Sequence, residues 1–170
     1  MKKSILFVAA FATSSLLNAQ MQIIGDCTDL SGKCIYYVDE QVIIANKEKT
    51  KGFKYNPSVD MKNGVLECSG ILTTMVNIGS CMENNSLIFL LDDGSKVMLK
   101  SWNKFNCEGD AWFNISKDEM KLLREHKVVK AQMQNGYSYE SFQSDVPVSD
   151  QDYFIRFFAD VDANKFTPAK

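Results

Sequence analysis

Residues 86–102, SLIFLLDDGSKVMLKSW, constrain the fold more than any other stretch of the 170-residue chain. The first six residues are apolar on both faces of an extended backbone, the pattern of a strand inside a sheet. Asp92-Asp93-Gly94-Ser95 then reverses the chain, because short acids and glycine suit turn geometry. In Lys96, Val97, Met98, Leu99 and Lys100 a period of two puts Val97 and Leu99 on one face and both lysines with Met98 on the other, as in a half-buried strand. Two strands joined by so short a turn must run antiparallel. Asp92 and Asp93 are therefore read as turn formers, not as a catalytic dyad or a calcium site.

A second hairpin follows. In residues 128–134, VVKAQMQ, Val129, Ala131 and Met133 share one face, and Lys130, Gln132 and Gln134 share the other. Asn135-Gly136 predicts a two-residue type I′ turn, since both residues tolerate positive φ. YSYESFQSDV is the returning strand. Upstream, residues 35–45 read as two short strands, or one broken strand, around Asp39-Glu40-Gln41. Residues 53–59 contain Pro57 and read as an edge strand or loop, because proline cannot donate to a ladder. Residues 65–78, with Gly70 and two threonines, read as a bent or interrupted strand.

Two helices are expected. Ser116 followed by Glu119 is a capping box, and Ile115 with Met120 has the spacing of a hydrophobic staple; the helix runs from about Lys117 to about Glu125, with His126 solvated or capping its end. After Pro147 a second helix starts near Ser149 or Asp150, either of which would cap it. Phe154, Phe157, Phe158 and Val161 fall at i, i+3, i+4 and i+7, a stripe that reads as core. The fold class is α+β, a mainly antiparallel sheet of about five to eight strands with two helices; the alternative is a β-sandwich with peripheral helices.

The chain begins MKKSILFVAAFATSSLLNAQ, with Lys2 and Lys3 before an apolar run and small or polar residues near Ala19. That layout reads as a secretory signal peptide over residues 1–19, too short and wrongly flanked for a membrane span. Residues 20–170 are read as a single globular domain. Cleavage would remove two lysines and no acid, taking the formal charge from −2 to −4. So mild an acidity carries no footprint for nucleic acid, and no stable membrane insertion is expected. Localisation is expected to be exported, periplasmic or extracellular.

Five cysteines remain in an oxidising compartment, where thiols pair. Two bridges can be drawn in fifteen ways, five choices of odd thiol times three pairings. Cys27 with Cys34 and Cys81 with Cys107 are preferred, on turn-like surroundings. The odd cysteine leaves a dimer open. No C-x-x-C pair accompanies the single histidine, so no metal site and no cofactor are expected.

Chemistry is sparse. DVDANK at residues 160–165 begins like a calcium loop, but Lys165 stands where the bend needs glycine. No nucleophile elbow, phosphate-cradling loop or dinucleotide fingerprint occurs, and no catalytic residue is assigned. What remains is WNKFNCEGDAW at residues 102–112. Trp102, Phe105 and Trp112 beside Asn103 and Asn106 could bind a protein or carbohydrate partner, since flat aromatic faces and amides combine area with direction. In the competing reading, which we favour, Trp102 ends one strand, Trp112 and Phe113 begin the next, both tryptophans cover the core, and Cys107 staples the loop.

The order of central strand, D-G turn, alternating strand, N-C-x-G, aromatic strand, capped helix and hairpin, over residues 87–158, resembles small exported bacterial domains of unknown function. The resemblance implies one α+β domain and no activity. The expected function is an exported non-catalytic binding or accessory module of the bacterial cell envelope or exterior. The alternatives are a secreted hydrolase using distributed carboxylates and a structural or inhibitor-like protein.

Overall fold

The computed structural model describes residues 21–27, 32–79, 81–163 and 165–168, so the expected signal peptide lies outside the described residues. The fold is α+β, with two sheets. The larger contains β1 (Ile23–Asp26), β2 (Lys33–Val38), β3 (Val42–Ala45), β4 (Gly52–Lys62), β5 (Val65–Val76), β8 (Asp110–Ile115) and β11 (Phe166–Pro168). Their order is β11-β1-β2-β4-β5-β8, with β3 paired to β4 beyond the end of β2. The smaller sheet runs β10 (Ser141–Asp145), β9 (Val128–Gln134), β6 (Ser86–Leu91), β7 (Lys96–Lys100). Every pairing is antiparallel except β1 with β11.

Eleven described strands in two sheets exceed the five to eight expected in one. β2 and β3 are the two short strands expected around Asp39-Glu40-Gln41, whereas β1 and β11, of four and three residues, are too short for a period of two to register in sequence. The β6–β7 hairpin lies where the alternation places it, with β6 internal between β9 and β7.

Pro57 runs against its sequence expectation. It lies within an eleven-residue internal strand, opposite Ile71 of β5. On its other side, β2 pairs with β4 only as far as Ser58 and β3 only as far as Tyr55, so Asn56 and Pro57 have no registered partner there. A residue without an N–H therefore falls where one flanking ladder is already interrupted. The Asn56 side-chain amide spans the gap to the Val38 carbonyl at 3.1 Å. β5 is likewise continuous; its irregularity is a shift between Asp60 and Met61 that leaves Glu67 unmatched, not a break at Gly70.

The Asn135-Gly136 turn also differs from expectation. The loop runs from residue 135 to 140, and its left-handed residue is Tyr139, at φ 60°. Asn135 is fully buried and organises the loop. Its Oδ1 accepts from the Tyr137 and Ser138 amides at 2.8 and 3.1 Å, and its Nδ2 donates to the Ile78 and Cys81 carbonyls at 2.9 and 2.7 Å. Gly136 is required by proximity, since a Cβ there would run into the Glu83 and Asn84 carbonyls.

α1 (Lys117–Glu125) carries the full Ser116/Glu119 capping box, and His126 follows as its C-cap. α2 (Tyr153–Asp162) begins later than expected, after a 3₁₀ turn at Val148–Asp150, and Asp152 is its N-cap residue. No capping bond comes from the Asp152 carboxylate, which instead accepts from Arg156 Nε one turn on at 3.0 Å. Phe154, Phe157, Phe158 and Val161 are all buried, as the stripe implies. One hydrophobic cluster takes in side chains of both sheets and α2. Phe154 stacks on Tyr55 of β4 at 5.8 Å between centroids and meets Phe89 of β6 edge-on at 5.4 Å, which joins the two sheets through the helix.

Both expected disulfides are present, Cys27–Cys34 and Cys81–Cys107. The fifth cysteine, Cys68, belongs to β5 opposite Asp60, and its side chain lies outside those described. No helix among the described residues is long and apolar enough to cross a membrane.

Candidate functional site

β8 alternates strictly. Ala111, Phe113 and Ile115 are buried, while Asp110, Trp112 and Asn114 point to the outer face of the large sheet. After β7 the chain returns along the free edge of β8, where Ser101 bridges to Phe113 and the Trp102 amide donates to the Trp112 carbonyl at 3.0 Å. That contact brings the two indoles together, with centroids 6.4 Å apart and planes tilted by 39°. Trp102 is 61% exposed and Trp112 43%. The expectation that both cover the core is therefore overturned. Phe113 fills the core at that point, and the period of two turns its neighbour outward.

The loop that carries Trp102 is held by backbone-directed amides. Asn103 Oδ1 accepts from the Trp112 amide at 2.9 Å, and the side-chain amides of Asn103 and Asn106 both donate to the Asp110 carbonyl, at 3.2 and 3.1 Å. Asn106 Oδ1 accepts from the Glu108 amide at 3.1 Å, and Asn106 forms a two-way bridge with Met82. Cys107 ties the same loop to Cys81. Gly109, at φ 92°, lets the Met75 amide reach its carbonyl at 2.9 Å. The edge of β8 is thus covered by the backbone of Ser101 and Trp102 and the side chains of Asn103 and Asn106, where a partner strand would otherwise pair.

The five residues singled out in sequence separate into three groups. Trp102 and Trp112 form a pair, the amides of Asn103 and Asn106 hold backbone, and Phe105 turns its ring edge-to-face onto Tyr137 at 5.4 Å. Beside the tryptophans the outer face sinks into a groove of about 160 Å³, lined also by Ile35, Ser58, Asp60, Gly70 and Asn114. Gly70 keeps the floor low, since a Cβ there would lie 3.1 Å from the Phe113 carbonyl and 3.5 Å from Ser58 Oγ. The Asp60 carboxylate on the far wall pairs with the Lys33 ammonium at 2.9 Å. Ser58 and Asp60 were missed in sequence because Pro57 hid the alternation of β4, in which Lys54, Asn56, Ser58 and Asp60 all face outward.

A second cluster joins the β6–β7 turn to the end of α1. His126 Nδ1 lies 3.2 Å from Asp92 Oδ1, and Nε2 lies 3.5 Å from Asp93 Oδ2. Among the described residues these three form the one group whose metal-ligand-type atoms approach within 4.8 Å of one another. Both imidazole nitrogens face a carboxylate, the geometry of a histidine clasped between two acids. The Ser95 hydroxyl and amide, bonded to Asp93 Oδ1 at 2.7 and 2.9 Å, hold the Asp93 carboxyl below the usual carboxylate range, and His126 adds to the effect.

No family model, curated protein or solved structure matches the chain.

Proposed function

We propose that the chain, freed of residues 1–19, is an exported, non-catalytic binding module that takes its ligand in the groove beside Trp102 and Trp112. The observation that carries this reading is the placement of the two indoles. Leaving a large aromatic side chain in water forgoes roughly 1.5 to 3 kcal/mol of burial. Here two lie side by side on the open face of a sheet, on a loop held by Asn103, Asn106 and the Cys81–Cys107 bridge. Local structure committed in this way to exposed aromatics supports a recognition surface. The two disulfides support an oxidising compartment and hence export. Among the described residues Asp60 is the one carboxylate lining the groove, whereas glycoside hydrolysis ordinarily uses a facing pair, which favours binding over hydrolysis.

The test pairs stability with capture. Trp102→Ala and Trp112→Ala are compared with the parent protein for melting temperature and for retention on immobilised envelope extract and culture fluid. The expected result is at least a tenfold loss of retention with little change in melting. Loss of retention only in proportion to lost stability would return both tryptophans to a structural role.

A further inference from the structure

We infer that the ligand of this groove is a neutral saccharide chain built of gluco-configured pyranoses, an inference that rests on the groove being the binding site proposed above. Its walls have the two properties a sugar requires. A pyranose whose hydroxyls are equatorial presents flat C–H faces, which pack against the face of an indole, while its rim carries groups that both donate and accept. Trp102 and Trp112 supply the faces. The rim partners are the Asp60 carboxylate as acceptor, the Lys33 ammonium beside it as donor, and the Ser58 hydroxyl and Asn114 carboxamide as both. A wholly apolar ligand would desolvate these groups without replacing their water, which is costly.

Charge, size and the state of the sheet edge narrow the class further. Asp60 and Lys33, 2.9 Å apart, are paired with one another, so neither charged group on this side of the groove stands as an isolated charge that would select a phosphate or a uronic acid. The groove, at about 160 Å³, is smaller than the several hundred Å³ that enclose a small molecule. It suits one part of a longer chain crossing an open platform. The 39° tilt between the indoles gives that platform two facets, so successive rings of a twisted chain can each meet one. A peptide adding as a strand is disfavoured, because the edge of β8 beside the groove is already occupied by the Trp102 amide and the Asn103 side chain.

The experiment uses a property of this chain: its only two tryptophans are Trp102 and Trp112, so intrinsic indole emission reports on the groove alone. Cellohexaose and chitohexaose serve as probes, one bearing hydroxyls and the other N-acetyl groups on the same gluco frame, with mannohexaose as the axial-hydroxyl comparison. The expected result is a saturable emission shift with one or both gluco probes and at least tenfold weaker binding of mannohexaose. By calorimetry, Trp112→Ala lowers affinity for the responding probe at least tenfold, and Asp60→Asn lowers it several-fold, at unchanged melting temperature. An emission spectrum unmoved by every probe, with the tryptophan variants still losing retention on envelope extract, overturns the saccharide assignment and leaves the binding module standing. Unmoved emission together with unchanged retention overturns both.

Discussion

The inner and outer faces of the large sheet hold the same kind of side chain in opposite circumstances. On the inner face Tyr55 lies nearly parallel to Phe154, 7° between planes, Tyr153 meets Tyr55 edge-on, and Phe158 and Phe157 continue the chain of rings from Phe154, all at most 1% exposed. On the outer face Trp112 and Trp102 meet at a comparable distance but stay exposed, Trp102 for most of its surface and Trp112 for somewhat less than half. The difference is one of cover. α2 and the small sheet pack against the inner face, and no described element packs over the indoles. Aromatic character therefore does not sort a residue into core or surface. Strand parity, and what the topology stacks above each face, do so.

The sharpest way to break this comparison is to truncate one aromatic on each side. Phe154→Ala should destabilise by roughly 3 to 5 kcal/mol through the cavity it leaves, whereas Trp112→Ala should cost less than about 1 kcal/mol. Urea denaturation followed by circular dichroism reads both, and equal losses would mean that the outer pair is core after all.

Next come the disulfides. In the chain-entropy picture, removing Cys81–Cys107, which spans 26 residues, costs about 3.5 kcal/mol, and removing Cys27–Cys34, which spans seven, about 2.5 kcal/mol. The Cys81→Ser/Cys107→Ser variant should also red-shift indole emission, because that bridge holds the loop carrying Trp102. Unshifted emission would show that the asparagine network suffices to hold the pair.

Alkali probes the inner face selectively. Burial, above all, pushes the Tyr55 and Tyr153 hydroxyls well above their ordinary value of 10.0; Tyr153 and Asp150 add to it at Tyr55, and Glu40 and Asp150 at Tyr153. The folded state thus keeps protons that the unfolded chain releases. The resulting stabilisation is complete below pH 10 and is lost as pH rises, by about 1.4 kcal/mol per tyrosine for each unit above it. Denaturation midpoints between pH 9 and 11 should fall accordingly, and Tyr55→Phe should flatten the slope.

The smallest expected effect concerns the same ring at neutral pH. The Tyr55 hydroxyl is buried and has no hydrogen-bond partner among the described residues, whereas that of Tyr153 donates to the Glu40 carbonyl. Tyr55→Phe should therefore be neutral or stabilising by up to about 1 kcal/mol, and Tyr153→Phe mildly destabilising. Reversed signs would show that the inner face uses Tyr55 for more than its ring.

Local chemistry carried much of the fold. The alternation of residues 96–100, the Ser116/Glu119 box and the phenylalanine stripe of α2 are decided within a few residues of chain, so they are legible in the amino-acid order itself. The two disulfide pairs were preferred on loop character and are the pairs that form. Pro57 and Asn135-Gly136 went the other way. Each has a strong local preference that remote strands override: an interrupted ladder accepts the proline, and the carbonyls of Ile78 and Cys81 draw the asparagine inward. The groove followed the same division. Trp102 and Trp112 were visible as residue types, but Ile35, Ser58, Asp60 and Gly70 come from three strands, and only pairing across β2, β4, β5 and β8 lays them side by side. Sequence alone decided which segments turn, cap and alternate, since those depend on neighbours along the chain. The tertiary structure decided which face of each strand meets water, because that depends on what the rest of the molecule places against it.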